Sequence, residues 1–298
     1  MNDTTAIQTL GLTKSYGKVQ ALRGVDLEVR RGEVFGFLGP NGSGKTTTIR
    51  CLLDLIRPDG GTLRVLGRDP RRESVAVRAQ IGYLPGELHI DESFSVEAAL
   101  RFFNRLRGNR VDWTYALELA DRLSLDLHLR IKHLSKGNKQ KVGILQALMS
   151  RPALLMLDEP TASLDPLMQQ LVLRAIREAQ ANGATVFFSS HVLSEVEEIA
   201  DRVGIIRRGV VVEIADPQAL IDRALRRVRV RFKQSIDLSE LTRLPGVTLN
   251  DQSDGGSVLL DVAGDMDQLI KTLAAYPVIE MDTERPSLEE IFLAYYTE

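Results

Sequence analysis

The segment from Gly39 to Thr46 constrains the fold of this chain more than any other stretch. Glycine, four residues, glycine, lysine and threonine follow one another there, which is the pattern of a phosphate-binding loop. The segment and its next neighbour consist of Gly39, Pro40, Asn41, Gly42, Ser43, Gly44, Lys45, Thr46 and Thr47. An apolar run at 34–38 predicts a buried strand before it, and a helical pattern follows over 47–56. This context favours a phosphate site, because loop N–H groups and a helix N-terminus both attract anions. The alternative is a glycine-rich turn without a ligand.

Two carboxylates follow the most apolar run of the chain. Residues 153–157 are all apolar, which is typical of a strand buried on both faces, and Asp158 and Glu159 come directly after them. Buried carboxylates cost free energy unless they hold a cation or take part in chemistry. Near a phosphate loop, Asp158 and the Thr46 hydroxyl are expected to bind Mg²⁺, Lys45 to reach the phosphates, and Glu159 to align a water as general base. A solvated acidic turn is the alternative.

Three further positions are candidates for the same site. His191 follows an apolar strand at 185–188, at the sheet edge where open α/β sheets bind ligands, although a lone histidine is more often structural. Tyr16 is placed on a loop between strands, where its ring stacks on a nucleotide base or lies half-buried on the surface. Ser135 is predicted to cap a helix, and a glycine at 137 is costly there unless the backbone approaches a group such as phosphate. A plain capped helix is the alternative.

Composition limits the classes of protein and compartment. The 298 residues are 44% hydrophobic with a formal net charge of -2, which suits a sizeable core and gives no overall basic field for nucleic acid. Cys51 is the single cysteine, so no disulfide forms within the chain, as in a reducing compartment. The polar N-terminus lacks a signal-peptide core, and no apolar run approaches the ~20 residues that span a bilayer. We therefore expect a cytoplasmic protein whose membrane role, if any, comes through a partner.

The patterns divide the chain into two domains, 1–218 and 219–298. A helical block at about 88–150 interrupts the strand-and-helix order of the first, and Asp216-Pro217 marks its end. The pattern of the second domain predicts a small ferredoxin-like α+β unit that ends in a helix capped near Ser287. Its residues 227–233 alternate basic and apolar side chains, which predicts a strand with a basic outer face. That face either binds nucleic acid or lipid headgroups or is simply solvated.

Together these residues resemble the ATP-binding subunit of an ATP-binding cassette (ABC) transporter over about residues 7–217. The Walker A loop is 39–46, the ABC motif is 134–138, the Walker B strand is 154–158, and the D-loop is 162–165. The resemblance implies an α/β phosphate-loop NTPase domain with a helical subdomain, followed by a small C-terminal α+β domain. It also implies two ATP molecules with Mg²⁺ in a head-to-tail dimer, each between one loop and the other subunit's Ser135 and Gly137. In that scheme Asp165 joins the nucleotide site, Tyr16 stacks on adenine, and Lys45 and His191 stabilise the transferring phosphoryl group.

The resemblance further implies partners and some departures from the family pattern. A membrane-spanning permease subunit and a second copy, or a similar cassette, are expected, with the chain peripheral on the inner face of the membrane and export the favoured direction. Lys136 and Asn138 replace a glycine and a glutamine of the ABC motif, and Gly86 stands where the family has a loop glutamine. The neighbouring Glu87 is a candidate metal ligand instead. A soluble ABC ATPase of translation or DNA maintenance and a cassette that scarcely hydrolyses ATP remain alternatives.

Overall fold

The computed structural model describes residues 4–223, 225–234, 236–253 and 257–284. The described residues up to Ala215 form one compact unit, and those from Asp216 onwards form a second. The closing helix predicted near Ser287 lies outside the described residues. Within these ranges, no helix combines the length and the hydropathy needed to cross a bilayer.

The first unit contains two sheets and seven α-helices in its described part. Its strands are β1 (Thr5–Tyr16), β2 (Val19–Arg30), β3 (Val34–Leu38), β4 (Gly60–Val65), β5 (Ile81–Leu84), β6 (Leu154–Asp158), β7 (Thr185–Ser190), β8 (Arg202–Arg207) and β9 (Val210–Ala215). Its helices are α1 (Lys45–Leu52), α2 (Ser74–Arg78), α3 (Val96–Leu106), α4 (Trp113–Arg122), α5 (Lys136–Leu148), α6 (Pro166–Ala181) and α7 (Leu193–Ile199). One 3₁₀ turn, Ile131–His133, precedes α5.

The larger sheet positions the candidate site. Its strand order is β5-β6-β7-β3-β8-β9, parallel except for β9, which pairs with β8 as the predicted hairpin. Its apolar strands are buried on both faces, and the Phe187 ring packs 5.8 Å from Phe35 and 5.3 Å from Phe37 between centroids. Because β6, β7 and β3 are adjacent and parallel, the segments that follow them meet at one edge of the sheet.

The smaller sheet, β2-β1-β4, is antiparallel and corrects one prediction. Tyr16 is the last residue of β1 and pairs with Val19, so it does not lie on a loop between strands. Both strands run for 12 residues, and their pairing is irregular between Thr9 and Thr13. The helix predicted over 47–56 is also shorter, since α1 ends at Leu52 and Asp54 takes the left-handed conformation with φ 52°.

The predicted helical block is present as α3, α4 and α5. Each helix begins at a side-chain cap: Ser95 accepts from the Ala98 N–H, Asp112 accepts from the Thr114 N–H, and Ser135 caps α5. A capping oxygen satisfies a backbone donor that the first turn leaves free, so these residues fix where the helices start.

The second unit contains a four-stranded antiparallel sheet in the order β11-β12-β10-β13. Its described elements are α8 (Pro217–Arg223), β10 (Arg226–Phe232), α9 (Ser239–Thr242), β11 (Val247–Ser253), β12 (Ser257–Val262), α10 (Asp267–Leu273) and β13 (Val278–Glu284). The apolar side chains of β10, among them Val228 and Val230, enter a core with Leu260 and Leu269. The order of elements agrees with the predicted α+β arrangement.

The predicted basic face of β10 has acidic residues opposite it. Arg231 forms an ion pair with Glu280 at 2.7 Å, and the register places Arg229 opposite Asp282 on β13. Opposite charges facing one another across strands stabilise a sheet. The arginines of this strand therefore lie beside carboxylates of β13 and do not form an uninterrupted positive surface.

Candidate active site

The phosphate loop follows β3 and leads directly into α1, as its sequence predicts. Gly44 is the N-cap of α1 with φ 116°, a conformation that L side chains rarely adopt. A Cβ at Gly39 would lie 2.4 Å from the Ser43 hydroxyl and 2.6 Å from the Ile206 carbonyl oxygen. Only glycine fits at these two positions, which explains the spacing of the motif.

Lys45 lies at the start of α1, is 5% exposed, and turns back over the loop. Its ammonium donates to the Gly39 carbonyl at 2.5 Å and to the Pro40 carbonyl at 3.3 Å. Thr46 and Thr47 follow in the first helical turn and are half-buried. The loop therefore places one cation and the N-terminus of α1 at the same point, which suits an anionic ligand.

Asp158 is the last residue of β6 and Glu159 directly follows it, and the environments of their carboxylates differ. Asp158 is 1% exposed, and its Oδ1 accepts from the Ser189 hydroxyl at 2.5 Å. Glu159 has φ 54°, in the left-handed region, and its N–H donates to the Ser189 carbonyl and hydroxyl oxygens. The chain therefore turns sharply after Asp158, so that the two adjacent carboxylates take different positions.

The Glu159 carboxylate lies between the Lys45 ammonium and the His191 ring. Its Oε1 is 3.3 Å from the Lys45 ammonium, and its Oε2 is 2.6 Å from Nδ1 of His191. The Glu159 side chain is 20% exposed and that of His191 is 53% exposed, so water reaches both. The three predicted catalytic residues come from separate parts of the chain, and the Glu159 carboxylate contacts both of the others.

A magnesium ion fits the residues at this edge. Within the described residues, Oδ2 of Asp158 is buried without a hydrogen-bond partner, and so is the Ser43 hydroxyl. A buried polar atom without a protein partner is costly, and the free oxygen of Asp158 is therefore available to a ligand. In the described part of the chain, no three His, Cys, Asp or Glu side chains form a metal cage. Mg²⁺ at phosphoryl-transfer sites uses one or two protein oxygens together with phosphates and water, so one free carboxylate oxygen suffices.

Comparison with known proteins identifies the family. A family model described as ABC transporter matches residues 22–162. The daunorubicin resistance ATP-binding protein DrrA3 of Streptomyces coeruleorubidus is 34% identical over 302 residues, covering 97% of this chain and 95% of that protein. The chain belongs to the ATP-binding proteins of ABC transporters. The Nod factor export ATP-binding protein I of Mesorhizobium japonicum is 33% identical over 295 residues, covering 97% of this cassette protein and 86% of that relative.

Solved structures agree with this family and with the predicted fold class. An ATP-binding subunit of an ABC transporter superposes with a TM-score of 0.66 at 29% identity, covering 72% of this chain and 92% of that one. A bacterial ABC transporter cassette solved as a dimer has a TM-score of 0.63 at 22% identity, covering 70% of this chain and 98% of that one. The phosphate-loop NTPase fold of the cassette is therefore confirmed.

The ABC motif of the cassette lies at the start of α5. The Ser135 hydroxyl accepts from the Asn138 N–H at 3.2 Å, as its predicted capping role requires. A Cβ at Gly137 would lie 2.8 Å from the Ser163 carbonyl oxygen. The glycine is therefore needed for close packing of α5 against the D-loop, which is a reason separate from the predicted approach to phosphate.

Asp165 and Tyr16 occupy defined positions away from the Glu159 carboxylate. Asp165 is the N-cap of α6 and accepts from the Met168 N–H at 3.0 Å. Tyr16 is 47% exposed, and the Lys14 ammonium lies 5.7 Å from the centre of its ring. The exposed ring leaves a face for stacking, and the nucleotide-binding roles of both residues stay predictions.

Position 86, where this cassette lacks the family glutamine, lies against Asp158. A Cβ on Gly86 would be 3.2 Å from the partnerless Oδ2 of Asp158. Glu87 lines a cavity of about 440 Å³ together with Arg78, Phe103 and Arg107. The role of Glu87 as a metal ligand stays a prediction. The residue that lies next to the free oxygen of Asp158 is Gly86.

Two buried polar residues near Glu159 have no counterpart among the predicted site residues. The Gln140 amide donates to the Glu159 carbonyl at 3.0 Å and to the Pro160 carbonyl at 3.1 Å. Glu195 of α7 accepts from the Thr161 and Ser190 hydroxyls. Gln140 precedes the buried Ile144 by four residues, so the two side chains lie on the same face of α5. A polar residue on this apolar face is a sequence signal by which Gln140 could have been found.

Proposed function

We propose that this cassette hydrolyses Mg-ATP at the Glu159 site and that the energy drives export through a membrane subunit. The observation that carries the proposal is the Glu159 carboxylate between the Lys45 ammonium and the His191 ring, beside the buried Asp158. A general base needs to lie within hydrogen-bond reach of the water it activates and close to groups that stabilise developing charge. These three side chains supply both requirements at one edge of the sheet.

The residues have separate roles in the proposed reaction. The phosphate loop N–H groups and Lys45 bind the β- and γ-phosphates, and Tyr16 stacks on the adenine. Asp158 and the Thr46 hydroxyl would hold Mg²⁺, which would offset the negative charge of the phosphates. Glu159 orients the attacking water and accepts its proton, and His191 contacts the transferring phosphoryl group.

The proposed active state contains two cassettes. The N-terminus of α5 carries the partial positive charge of a helix end and exposes Ser135 and Lys136. In the proposed head-to-tail dimer, this surface of one copy faces the ATP bound to the phosphate loop of the other copy. Gly137 and the D-loop residue Asp165 belong to the same surface. A cassette of this fold solved as a dimer supports the arrangement.

The dimer is tested by sedimentation of the Glu159→Gln variant, which keeps the shape of the side chain and loses the base. ATP with Mg²⁺ is expected to convert this variant from monomer to dimer, and the added substitution Ser135→Glu is expected to prevent the conversion by repelling phosphate. A monomer at saturating ATP, or a dimer insensitive to Ser135→Glu, would contradict the proposed interface.

Transport is supported by the relatives, whose names assign them to daunorubicin resistance and Nod factor export. We place the cassette on the inner face of the membrane, bound to a separate permease. The tagged Glu159→Gln variant is expressed in its own host, membranes are solubilised gently with Mg-ATP, and co-purifying proteins are identified against the tag alone. A polytopic membrane protein is the expected partner. Ribosomal particles or DNA repair proteins, without a membrane protein, would overturn the proposal in favour of a soluble ABC ATPase.

A further inference from the structure

Glu195 is a buried carboxylate whose position the hydrolytic residues do not explain. It lies in α7 and is 4% exposed. Its Oε1 accepts from the Thr161 hydroxyl, and its Oε2 accepts from the Ser190 hydroxyl at 2.7 Å. Burial raises the pKa of Glu195 above its ordinary value, and the two hydroxyl bonds act in the opposite direction. Burying a carboxylate costs free energy, and the two hydroxyl bonds of Glu195 offset part of that cost.

The two hydroxyls lie close in sequence to the two proposed catalytic residues that follow β6 and β7. Thr161 lies two positions after Glu159, and Ser190 directly precedes His191. The Ser190 hydroxyl also accepts from the Val192 N–H at 2.9 Å, so it bonds to the residue that directly follows His191. One carboxylate therefore connects the loop after β6 with the loop after β7.

The Glu159 loop needs such a support because its backbone is strained. A non-glycine residue in the left-handed conformation, as at Glu159 with φ 54°, is sterically disfavoured. Strained residues persist only where surrounding contacts hold them. The bond from Thr161 to Glu195 is one of these contacts, and the same side chain holds the residue next to His191.

We propose that Glu195 is a positioning residue that connects the Glu159 and His191 loops and keeps the Glu159 carboxylate beside the His191 ring. This inference rests on the proposed hydrolysis by Glu159. Glu195 does not touch the reacting atoms; it acts through Thr161 and Ser190. Its carboxylate accepts from both hydroxyls at once, which alanine cannot do and which a glutamine amide does on one side only.

Steady-state kinetics of Glu195→Ala and Glu195→Gln test the proposal. A misplacement of about 1 Å in a catalytic group costs on the order of 100-fold in rate, so kcat is expected to fall by about that factor in the alanine variant and by less in the glutamine variant. The KM for ATP is expected to stay near the wild-type value, because Glu195 does not contact the phosphate loop. Glu198→Ala and Glu198→Gln, at an exposed glutamate of the same helix, are the matched controls.

A second measurement does not depend on turnover. The NMR signals of the His191 ring, assigned with His191→Asn, are expected to shift in Glu195→Ala and to stay in place in Glu198→Ala. If Glu195→Ala does not fold, Thr161→Val and Ser190→Ala remove the same bonds singly, and their effects are expected to be non-additive. Wild-type kcat and unshifted His191 signals in the variants would overturn the positioning role. A wild-type protein without turnover would refute the hydrolysis proposal, while the His191 signals would still decide the role of Glu195.

Discussion

Replacing Gln140 with alanine tests how α5 supports the Glu159 loop. The Gln140 side chain is 8% exposed, and its amide donates to the Glu159 and Pro160 carbonyls at 3.0 and 3.1 Å. The Glu159 carbonyl keeps a second donor, the Ala162 N–H at 3.2 Å. Among the described residues, the Pro160 carbonyl has no other donor, so the substitution leaves it buried and unpaired.

The expected loss of unfolding free energy is about 2 kcal/mol. The unpaired Pro160 carbonyl costs about 2 kcal/mol and the lost bond at Glu159 about 1 kcal/mol. Removing one buried methylene costs about 0.8 kcal/mol more. Freeing a buried glutamine from the native state returns about 1.5 kcal/mol of side-chain entropy. The balance is destabilising and large enough to measure.

The same substitution is expected to slow turnover. Without the amide, the left-handed conformation of Glu159 is held less firmly, and it is disfavoured by about 1–2 kcal/mol. A barrier change of about 1.4 kcal/mol is a factor of ten in rate, so kcat is expected to fall about tenfold. Urea unfolding and phosphate release measure the two effects, and Gln146→Ala on the same helix is the control. Unfolding free energy and kcat equal to those of Gln146→Ala would refute this reasoning.

Two further predictions concern the metal and the base. Gly86→Ala places a methyl group about 3.2 Å from Oδ2 of Asp158 and is expected to raise the Mg²⁺ concentration for half-maximal turnover severalfold; an unchanged Mg²⁺ titration would contradict the placement of the ion. Asp59 accepts from the Lys14 ammonium at 3.0 Å and the Ser15 N–H at 2.6 Å, which hold the pKa of Asp59 below its ordinary value of 3.8 and keep it ionised at neutral pH. Asp59→Ala is therefore expected to loosen the end of β1, where Tyr16 is proposed to stack on adenine. The KM for ATP is expected to rise more than kcat changes. An ATP titration that matches wild type would show that the position of Tyr16 does not depend on Asp59.

The sequence was sufficient for the elements on which the site is built. The glycine loop, the apolar runs of β3, β6 and β7 and the residues after them predicted a phosphate site at one sheet edge. These signals are local, because a buried parallel strand needs a continuous apolar run and a phosphate loop needs glycines at fixed spacing. The family resemblance then gave His191 its expected role of stabilising the transferring phosphoryl group, which its place in the sequence alone did not do.

Other features depend on contacts between distant segments and were missed. Glu195 lies beside Val196 on a helix whose pattern gives no sign that a carboxylate is buried there. The acidic partners of the β10 arginines lie on β13, about fifty residues away, so the basic strand suggested a positive surface that the fold does not present. The sequence predicts a loop at Tyr16, whereas the bulged pairing of β1 with β2 extends the strand as far as that residue.

Phosphate release by the purified wild type, measured beside Glu159→Gln with saturating ATP and Mg²⁺, tests the proposed chemistry most directly. Removing a general base lowers the rate by about 10²–10⁴-fold. The wild type is therefore expected to turn over, and the variant is expected to bind ATP and release almost no phosphate. Equal rates in the two proteins would contradict the assignment of Glu159 as the base, and a wild type that binds ATP without releasing phosphate would mean that the cassette is not an ATPase by itself.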